Sequence, residues 1–67
     1  MINLHINGAP HTFTAPLSVE QLVAHLGYSG KWIAIERNGE IVPKSQHAST
    51  PLADGDILEI VVAVGGG

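Results

Sequence analysis

The sequence predicts an α+β domain in which a mixed sheet of four to five strands has one helix packed on one face. Apolar and polar residues alternate over residues 2–7, as they do in half-buried strands, and the apolar run at residues 57–64 is the strongest strand signal in the sequence. Over residues 19–26 the apolar residues are instead three or four positions apart, which is typical of an amphipathic helix. The helix must bury that apolar stripe, and the sheet is the surface available to it.

The chain opens with a predicted β-hairpin. Its first strand is the alternating stretch at residues 2–7, in which Ile2, Leu4 and Ile6 share one face. Asn7-Gly8 supplies the turn because both residues tolerate positive φ. The returning strand is predicted over residues 11–15, with Phe13 facing the core.

The helix has start and stop signals on both sides. Ser18 is the predicted N-cap, and Gln21 three residues later completes a capping box. Leu17 and Leu22 occupy the positions of a hydrophobic staple. Gly27 follows where a left-handed residue ends a helix. These signals predict a helix over about residues 18–26, with an apolar stripe of Val19, Leu22, Val23 and Leu26.

The second half of the chain predicts another hairpin and a closing strand. Residues 32–37 and 40–42 are strands joined by Asn38-Gly39, a second turn signal. Residues 44–53 are predicted to be irregular, with Pro51-Leu52 returning to the core. Asp54-Gly55-Asp56 is predicted to be only a turn.

The element order ββ-α-ββ-β fits the β-grasp (ubiquitin-like) arrangement, in which the first and last strands lie parallel at the centre. In the last strand one face consists of Leu58, Ile60 and Val62, and the other of Ile57, Glu59 and Val61. The glutamate marks the second face as the wetter one. Ile57 and Val61, with Val64 beyond them, form a candidate apolar docking patch. An equal alternative is that Ile57 and Val61 only cover the surface of the sheet.

Length, composition and net charge limit the functions that the chain can have. The 67 residues allow one domain, there is no cysteine, and the formal charge is −3. The charge argues against a nucleic-acid binder. Neither a signal peptide nor a membrane-spanning segment is evident. We expect a single cytoplasmic domain over residues 1–67 that is a monomer when free and has no nucleic-acid or membrane partner.

The glycines at the end of the sequence are the candidate reactive segment. We expect residues 63–67 to form a flexible tail, in which Gly65 and Gly66 can pass through a channel too narrow for side chains. A carboxylate on Gly67 is a poor electrophile at neutral pH and needs another enzyme to activate it. This pattern favours a substrate over a catalyst. The alternative interpretation is a frayed end or a cloning remnant.

Three segments resemble the ThiS family, the sulfur carrier proteins of thiamine (thiazole) biosynthesis. They are residues 35–44, which contain Asn-Gly-Glu-Ile-Val-Pro, residues 52–61, which contain Asp-Gly-Asp, and the terminal residues 64–67. The resemblance covers essentially the whole chain. The family ends in Gly-Gly, and here Gly65 precedes that pair as a third glycine.

The resemblance implies a cycle performed by partner proteins. An E1-like (ThiF-type) enzyme, using ATP and magnesium that it binds itself, would adenylate the carboxylate of Gly67. A persulfide protein would supply sulfur to give a thiocarboxylate, and a ThiG-type thiazole synthase would take that sulfur. This chain itself would bind no cofactor. Competing interpretations are the small subunit of molybdopterin synthase, a ubiquitin-like modifier of lysines, and a plain β-grasp interaction module.

The remaining unusual residues have modest interpretations. His5 and His11 sit on neighbouring predicted strands, where they can approach one another, but two ligands make an incomplete zinc site, so no metal is expected. His25 and His47 are likewise expected to face solvent, with His25 supporting the C-terminus of the helix. Trp32 is either a core or a docking residue, and its alternation with Ile33 and Ile35 favours partial exposure.

Overall fold

The computed structural model describes residues 1–63 of the 67-residue chain. Its elements are β1 (Ile2–Ile6), β2 (Ala9–Phe13), α1 (Val19–His25), β3 (Ile33–Arg37), β4 (Glu40–Ile41), a 3-10 turn (Lys44–Gln46) and β5 (Ile57–Val62). The strands lie in the order β2-β1-β5-β3-β4, and only β1 and β5 pair in parallel. The predicted β-grasp fold, with the last strand at the centre of a mixed sheet, is confirmed.

The first hairpin turns where the sequence predicts, but its second strand begins earlier. Asn7 and Gly8 have φ of 51° and 82°, and the short turn pairs Ile6 with Ala9 at once. β2 therefore spans Ala9–Phe13 rather than residues 11–15. It tolerates Pro10 because β2 is an edge strand, where a missing N–H breaks no inner ladder.

Reciprocal side-chain and backbone hydrogen bonds fix both ends of α1. The Gln21 N–H donates to Ser18 Oγ at 3.2 Å, and the Ser18 N–H donates to Gln21 Oε1 at 2.8 Å. At the other end Gly27 has φ of 80°, and the N–H of Tyr28 donates to the carbonyl of Val23. This is the Schellman geometry that a C′ glycine permits. The predicted capping box and stop are both confirmed.

The core lies between α1 and one face of the sheet. Alternate residues of the strands pack against Val19, Leu22 and Val23 of the helix stripe. Leu26, the fourth residue of the stripe, is only half-buried. The buried apolar residues are Ile2, Leu4, Ile6, Val19, Leu22, Val23, Ile35, Leu52, Leu58 and Ile60. The other face of the sheet is left without a covering layer among residues 1–63.

The segment between β4 and β5 contains one 3-10 turn and is otherwise irregular, as expected over residues 44–53, but it packs against α1. The first N–H groups of the helix donate to it, from Val19 to the Thr50 carbonyl at 2.9 Å and from Glu20 to the His47 carbonyl at 3.0 Å. Leu52 is buried, as predicted, and its backbone N–H donates to the carbonyl of Leu17. The segment thus satisfies helix donors that would otherwise lack partners.

The seven residues of α1 are far fewer than a bilayer crossing needs, and residues 1–63 contain no membrane-spanning helix. The predicted tail at residues 63–67 lies outside the described residues except for Ala63. The prediction of one domain with such a tail stays a prediction.

Candidate functional site

The end of β5 is held by hydrogen bonds on both sides. On one side the N–H of Ala63 donates to the carbonyl of Trp32 at 2.8 Å, which extends the pairing with β3. On the other side β1 has already ended, and the side chain of Asn7 takes its place. Its amide oxygen accepts from the Ile60 N–H at 2.8 Å, and its amide nitrogen donates to the Ile60 carbonyl at 3.0 Å. The chain is therefore anchored up to the last residue described.

The predicted site residues divide into two groups. Val64, Gly65, Gly66 and Gly67 lie outside the described residues. Ile57 and Val61 both lie on the face of β5 that points away from the helix, with 57% and 65% of their surfaces exposed. They are four positions apart on one strand, a separation of about 13 Å. The structure thus brings them onto one open face, and their role in docking stays a prediction.

Strand register adds further residues to that face. Ala34 pairs with Val61, Glu36 pairs with Glu59, and Ile41 pairs with Glu36, so all of them point to the same side. Ile41 is 63% exposed. We call this set the open face, consisting of Ala34, Glu36, Ile41, Ile57, Glu59 and Val61. Sequence reasoning missed Glu36 and Ile41, although the two-residue turn at Asn38-Gly39 fixes that register.

A buried carboxylate fixes where β5 begins. Asp56 Oδ2 accepts from Arg37 Nε at 2.7 Å and from the Ala53 N–H at 2.8 Å, while Oδ1 accepts from Asn38 Nδ2 at 3.0 Å. Asn38 in turn accepts from the Ile57 N–H at 2.9 Å. Asp56 is only 6% exposed, so it is more than the turn residue that the sequence predicted.

The surroundings of Asp56 keep it ionised. Burial alone raises the pKa of its carboxyl, but the hydrogen bonds from Ala53, Arg37 and Asn38, together with the positive charge of Arg37, outweigh burial. The pKa of Asp56 is therefore held below its ordinary value. Both oxygens of the carboxylate accept hydrogen bonds from neighbouring groups, so Asp56 is a structural anchor. This argues against a catalytic role.

The histidines do not converge on a site. His5 pairs with Pro10 while His11 pairs with Leu4, so the two rings point to opposite faces and the idea that they approach one another is wrong. His47 is also not solvent-facing as expected. It is buried, and its Nε2 lies 3.2 Å from the carbonyl oxygen of Val42. Within residues 1–63 no three metal-ligating side chains come together.

A groove of about 600 Å³ lies at the C-terminal end of α1. Its lining includes Tyr28, Lys31, Trp32, Lys44 and His47. Trp32 is 68% exposed, in line with the partial exposure that alternation favoured. Apolar and basic groups share the groove with the carboxylate of Glu20.

Comparison with protein families identifies the chain's relatives. The model described as the ThiS family matches residues 4–67, which takes in the open face and the terminal glycines. The chain belongs to the ThiS family. A crystal structure of a thiamine biosynthesis protein (ThiS) from Geobacter metallireducens has the same fold, with a TM-score of 0.83. It is 32% identical, and the match covers 98% of this chain and 100% of that one.

Two curated ThiS-like relatives differ in length. The sulfur carrier protein ThiS of Bacillus subtilis is 38% identical over 50 residues, covering 75% of this chain and 76% of that protein. A thiazole synthase of Paramagnetospirillum magneticum is 48% identical over 66 residues, covering 98% of this chain. The chain spans only 20% of the length of that thiazole synthase. A ThiS-like segment therefore occurs both in a short protein and within a much longer one.

Proposed function

We propose that this chain is a sulfur carrier in thiamine biosynthesis that holds sulfur as a thiocarboxylate on Gly67. The observation that carries the proposal is the ThiS family match, which extends through residue 67. The sulfur carrier of Bacillus subtilis and the thiamine biosynthesis protein of Geobacter metallireducens support the pathway. In this function the chain is the substrate of other enzymes, and none of its side chains performs catalysis.

The chemistry begins with activation of the Gly67 carboxylate. An E1-like partner transfers AMP from ATP to the carboxylate, releasing pyrophosphate and forming a mixed anhydride with a good leaving group. The terminal sulfur of a partner's persulfide then attacks the acyl carbon and displaces AMP. A partner thiol attacks the resulting acyl disulfide, which releases the thiocarboxylate and leaves a disulfide on the partner side. ATP and magnesium are held by the partner.

The folded part presents the terminus to the partner. Four residues follow Ala63, and at about 3.3–3.6 Å per residue they reach at most roughly 14 Å. A partner that receives Gly67 must therefore approach the end of β5 closely. Gly65 and Gly66 suit a narrow channel because glycine has no Cβ. Ile57, Val61 and Val64 are the residues proposed to contact the partner outside that channel.

A thiazole synthase is the proposed acceptor of the sulfur. Thiazole synthases of Paramagnetospirillum magneticum and Magnetococcus marinus each contain a segment similar to this chain, with 48% and 33% identity. In each of these proteins a segment similar to this chain is part of a thiazole synthase polypeptide. This similarity supports a thiazole synthase as the protein that accepts sulfur from the chain.

An intact-mass experiment tests the function. The 67-residue protein with a free Gly67 carboxyl is incubated with ATP, magnesium, the E1-like enzyme and a persulfide donor. A mass gain equal to the exchange of one oxygen for one sulfur supports the proposal. Protein-sized adducts would instead indicate a ubiquitin-like modifier. An unchanged mass, in a reaction mixture that converts the Bacillus subtilis carrier, would refute the carrier function.

Two variants test the role of the terminus. Deleting Gly66 and Gly67 is expected to abolish the mass gain while the circular dichroism spectrum stays that of the parent. Gly66→Trp is expected to block processing, and Gly66→Ala, the matched control with a single added methyl group, is expected to retain more activity. If Gly66→Trp is processed as fast as the parent, the narrow-channel argument is wrong.

A further inference from the structure

The groove at the C-terminal end of α1 collects the positive charge that the fold itself does not use. The chain has three lysine and arginine residues against six acidic ones. Within residues 1–63, Arg37 is ion-paired with Asp56, and neither lysine forms an ion pair with a described carboxylate. Lys31 and Lys44 come from different segments of the chain, and both line the groove. Two cations at one concave place on an acidic protein favour the binding of an anion there.

Backbone hydrogen bonds fix the positions from which the two lysines extend. The Lys31 N–H donates to the Tyr28 carbonyl at 3.0 Å, and the Lys44 carbonyl accepts from the His47 N–H at 3.2 Å. The His47 ring is buried, with its Nε2 3.2 Å from the carbonyl oxygen of Val42. The walls of the groove are therefore formed before a ligand binds, and only the flexible lysine side chains have to be ordered on binding.

Aromatic and apolar side chains line the groove beside these cations. Trp32 lines it with 68% of its surface exposed, and Tyr28 lines it half-buried. Val23 and Ile33 add apolar surface from the helix and from β3. An exposed indole offers a flat face on which a planar ring can stack. The volume of about 600 Å³ also lies within the range of about 300–1,000 Å³ that is usual for small-molecule sites.

We propose that this groove binds a small aromatic phosphate, with the phosphate held by Lys31 and Lys44 and the ring stacked on Trp32. A phosphate monoester carries about 1.5–2 negative charges at pH 7, so one such group matches two ammonium groups, whereas a carboxylate matches one. A nucleic acid is disfavoured, because two cations cannot neutralise a run of phosphates and the chain carries a formal charge of −3. Sulfur carriage on Gly67 is not needed for this binding.

Glu20 restricts which aromatic phosphate suits the groove. Its side chain lines the groove on the same face of α1 as Val23 and Ala24. A carboxylate there weakens the attraction for an anion, but it can accept a hydrogen bond from an amino group on the ligand's ring. AMP, in which an amino-bearing planar ring is joined to one phosphate, has all of these features and is the probe of choice.

The test is a titration of the 67-residue protein with AMP, followed by ¹H–¹⁵N NMR spectra and by the fluorescence of Trp32, the only tryptophan in the chain. We expect saturable shifts of the Lys31, Trp32 and Lys44 signals together with quenching of the fluorescence. Adenosine lacks the phosphate and inorganic phosphate lacks the ring, so each is expected to bind about tenfold more weakly. Phenyl phosphate distinguishes two sources of the ligand. Affinity equal to that of AMP supports a site for aromatic phosphates in general, and weaker affinity supports a site for nucleotides.

Variants test the contribution of each charge. Lys31→Gln and Lys44→Gln are each expected to weaken AMP binding about threefold and the double variant about tenfold, whereas replacing both lysines by arginine retains binding. Glu20→Gln is expected to tighten binding about twofold, because a repulsive charge is removed. The matched control is Glu59→Gln, which makes the same charge change on the open face and is expected to bind like the parent. Both lysines are exposed, so their variants are expected to keep the circular dichroism spectrum of the parent.

Several results would overturn the inference. The absence of saturable shifts with AMP would do so, as would unchanged AMP affinity in the double glutamine variant. Equal affinity for AMP and inorganic phosphate would show that the ring does not stack, and equal affinity for AMP and adenosine would show that the lysines do not hold the phosphate. A hexaglutamate peptide that binds as tightly as AMP would indicate a site for acidic protein segments instead.

Discussion

Replacing Asp56 by asparagine tests the anchor at the start of β5. The substitution keeps size and shape but removes the charge and turns one acceptor oxygen into a donor. The amide nitrogen must then face either Asn38 or the Arg37 and Ala53 donors that share Oδ2. Facing Asn38 is the less costly choice, since only one hydrogen bond is lost. Asn38 cannot simply rotate its amide, because its oxygen accepts from Ile57.

The expected loss follows from these contacts. One neutral hydrogen bond is worth about 0.5–1.5 kcal/mol, and a bond to a charged group about 1.5–3 kcal/mol. The Arg37 side chain is 32% exposed, so water replaces part of what it loses. We therefore expect Asp56→Asn to lower the free energy of unfolding by about 1.5–3 kcal/mol. For a domain of this size, with a total of about 3–10 kcal/mol, that is a large fraction.

Urea unfolding at several pH values is the measurement. Because the pKa of Asp56 is lowered in the folded state, its stabilisation is fully present above the ordinary aspartate pKa of about 4 and is lost as the pH falls through the lowered value. The gap between parent and Asp56→Asn is therefore expected to be constant near neutral pH and to narrow in acid. The control, Asp54→Asn, removes an exposed charge but keeps an acceptor for Asn3. A neutral-pH gap for Asp56→Asn no larger than that of Asp54→Asn would refute the argument.

Three further substitutions test other parts of the fold by urea unfolding. Asn7→Gly keeps the positive φ but removes both hydrogen bonds to Ile60, so the free energy of unfolding is expected to fall by about 1–2 kcal/mol. A loss near zero would show that the Asn7 amide does not hold β5. Ser18→Ala removes the acceptor for the Gln21 N–H and is expected to cost about 1 kcal/mol, with little further loss when Gln21→Ala is added. Gly27→Ala places a methyl group in open space but at φ of 80°, so a loss of about 1 kcal/mol would come from backbone strain alone.

The sequence predicted the elements whose signals are local. The turns at Asn7-Gly8 and Asn38-Gly39, the capping box of α1, the alternation in β1 and the apolar run of β5 each depend on residues a few positions apart. Errors appeared where distant residues decide the outcome. β2 was predicted over residues 11–15 but spans Ala9–Phe13, and the edge position that lets it contain Pro10 depends on the order of the whole sheet.

Buried polar residues were the other class that sequence reasoning missed. Asp56 looks like an ordinary turn residue beside Gly55, and its partner Arg37 is 19 positions away. His47 lies in a polar stretch, and its burial follows from the packing of that stretch against α1. For the site, alternation correctly placed Ile57 and Val61 on the outer face, whereas the pairing of Glu36 with Glu59 required the register between β3 and β5.

That register connects stability with recognition. A strand that slips by one residue exchanges its two faces, so a slip of β5 would bury Glu59 and expose Leu58 and Ile60. The contacts of Asp56 with Arg37, and of Asn38 with Ile57, fix β5 against β3 at its first residue. The Asn7 amide fixes it again at Ile60 on the other side. The polar contacts that stabilise this sheet therefore also determine which side chains of β5 a partner meets and where the chain leaves the fold.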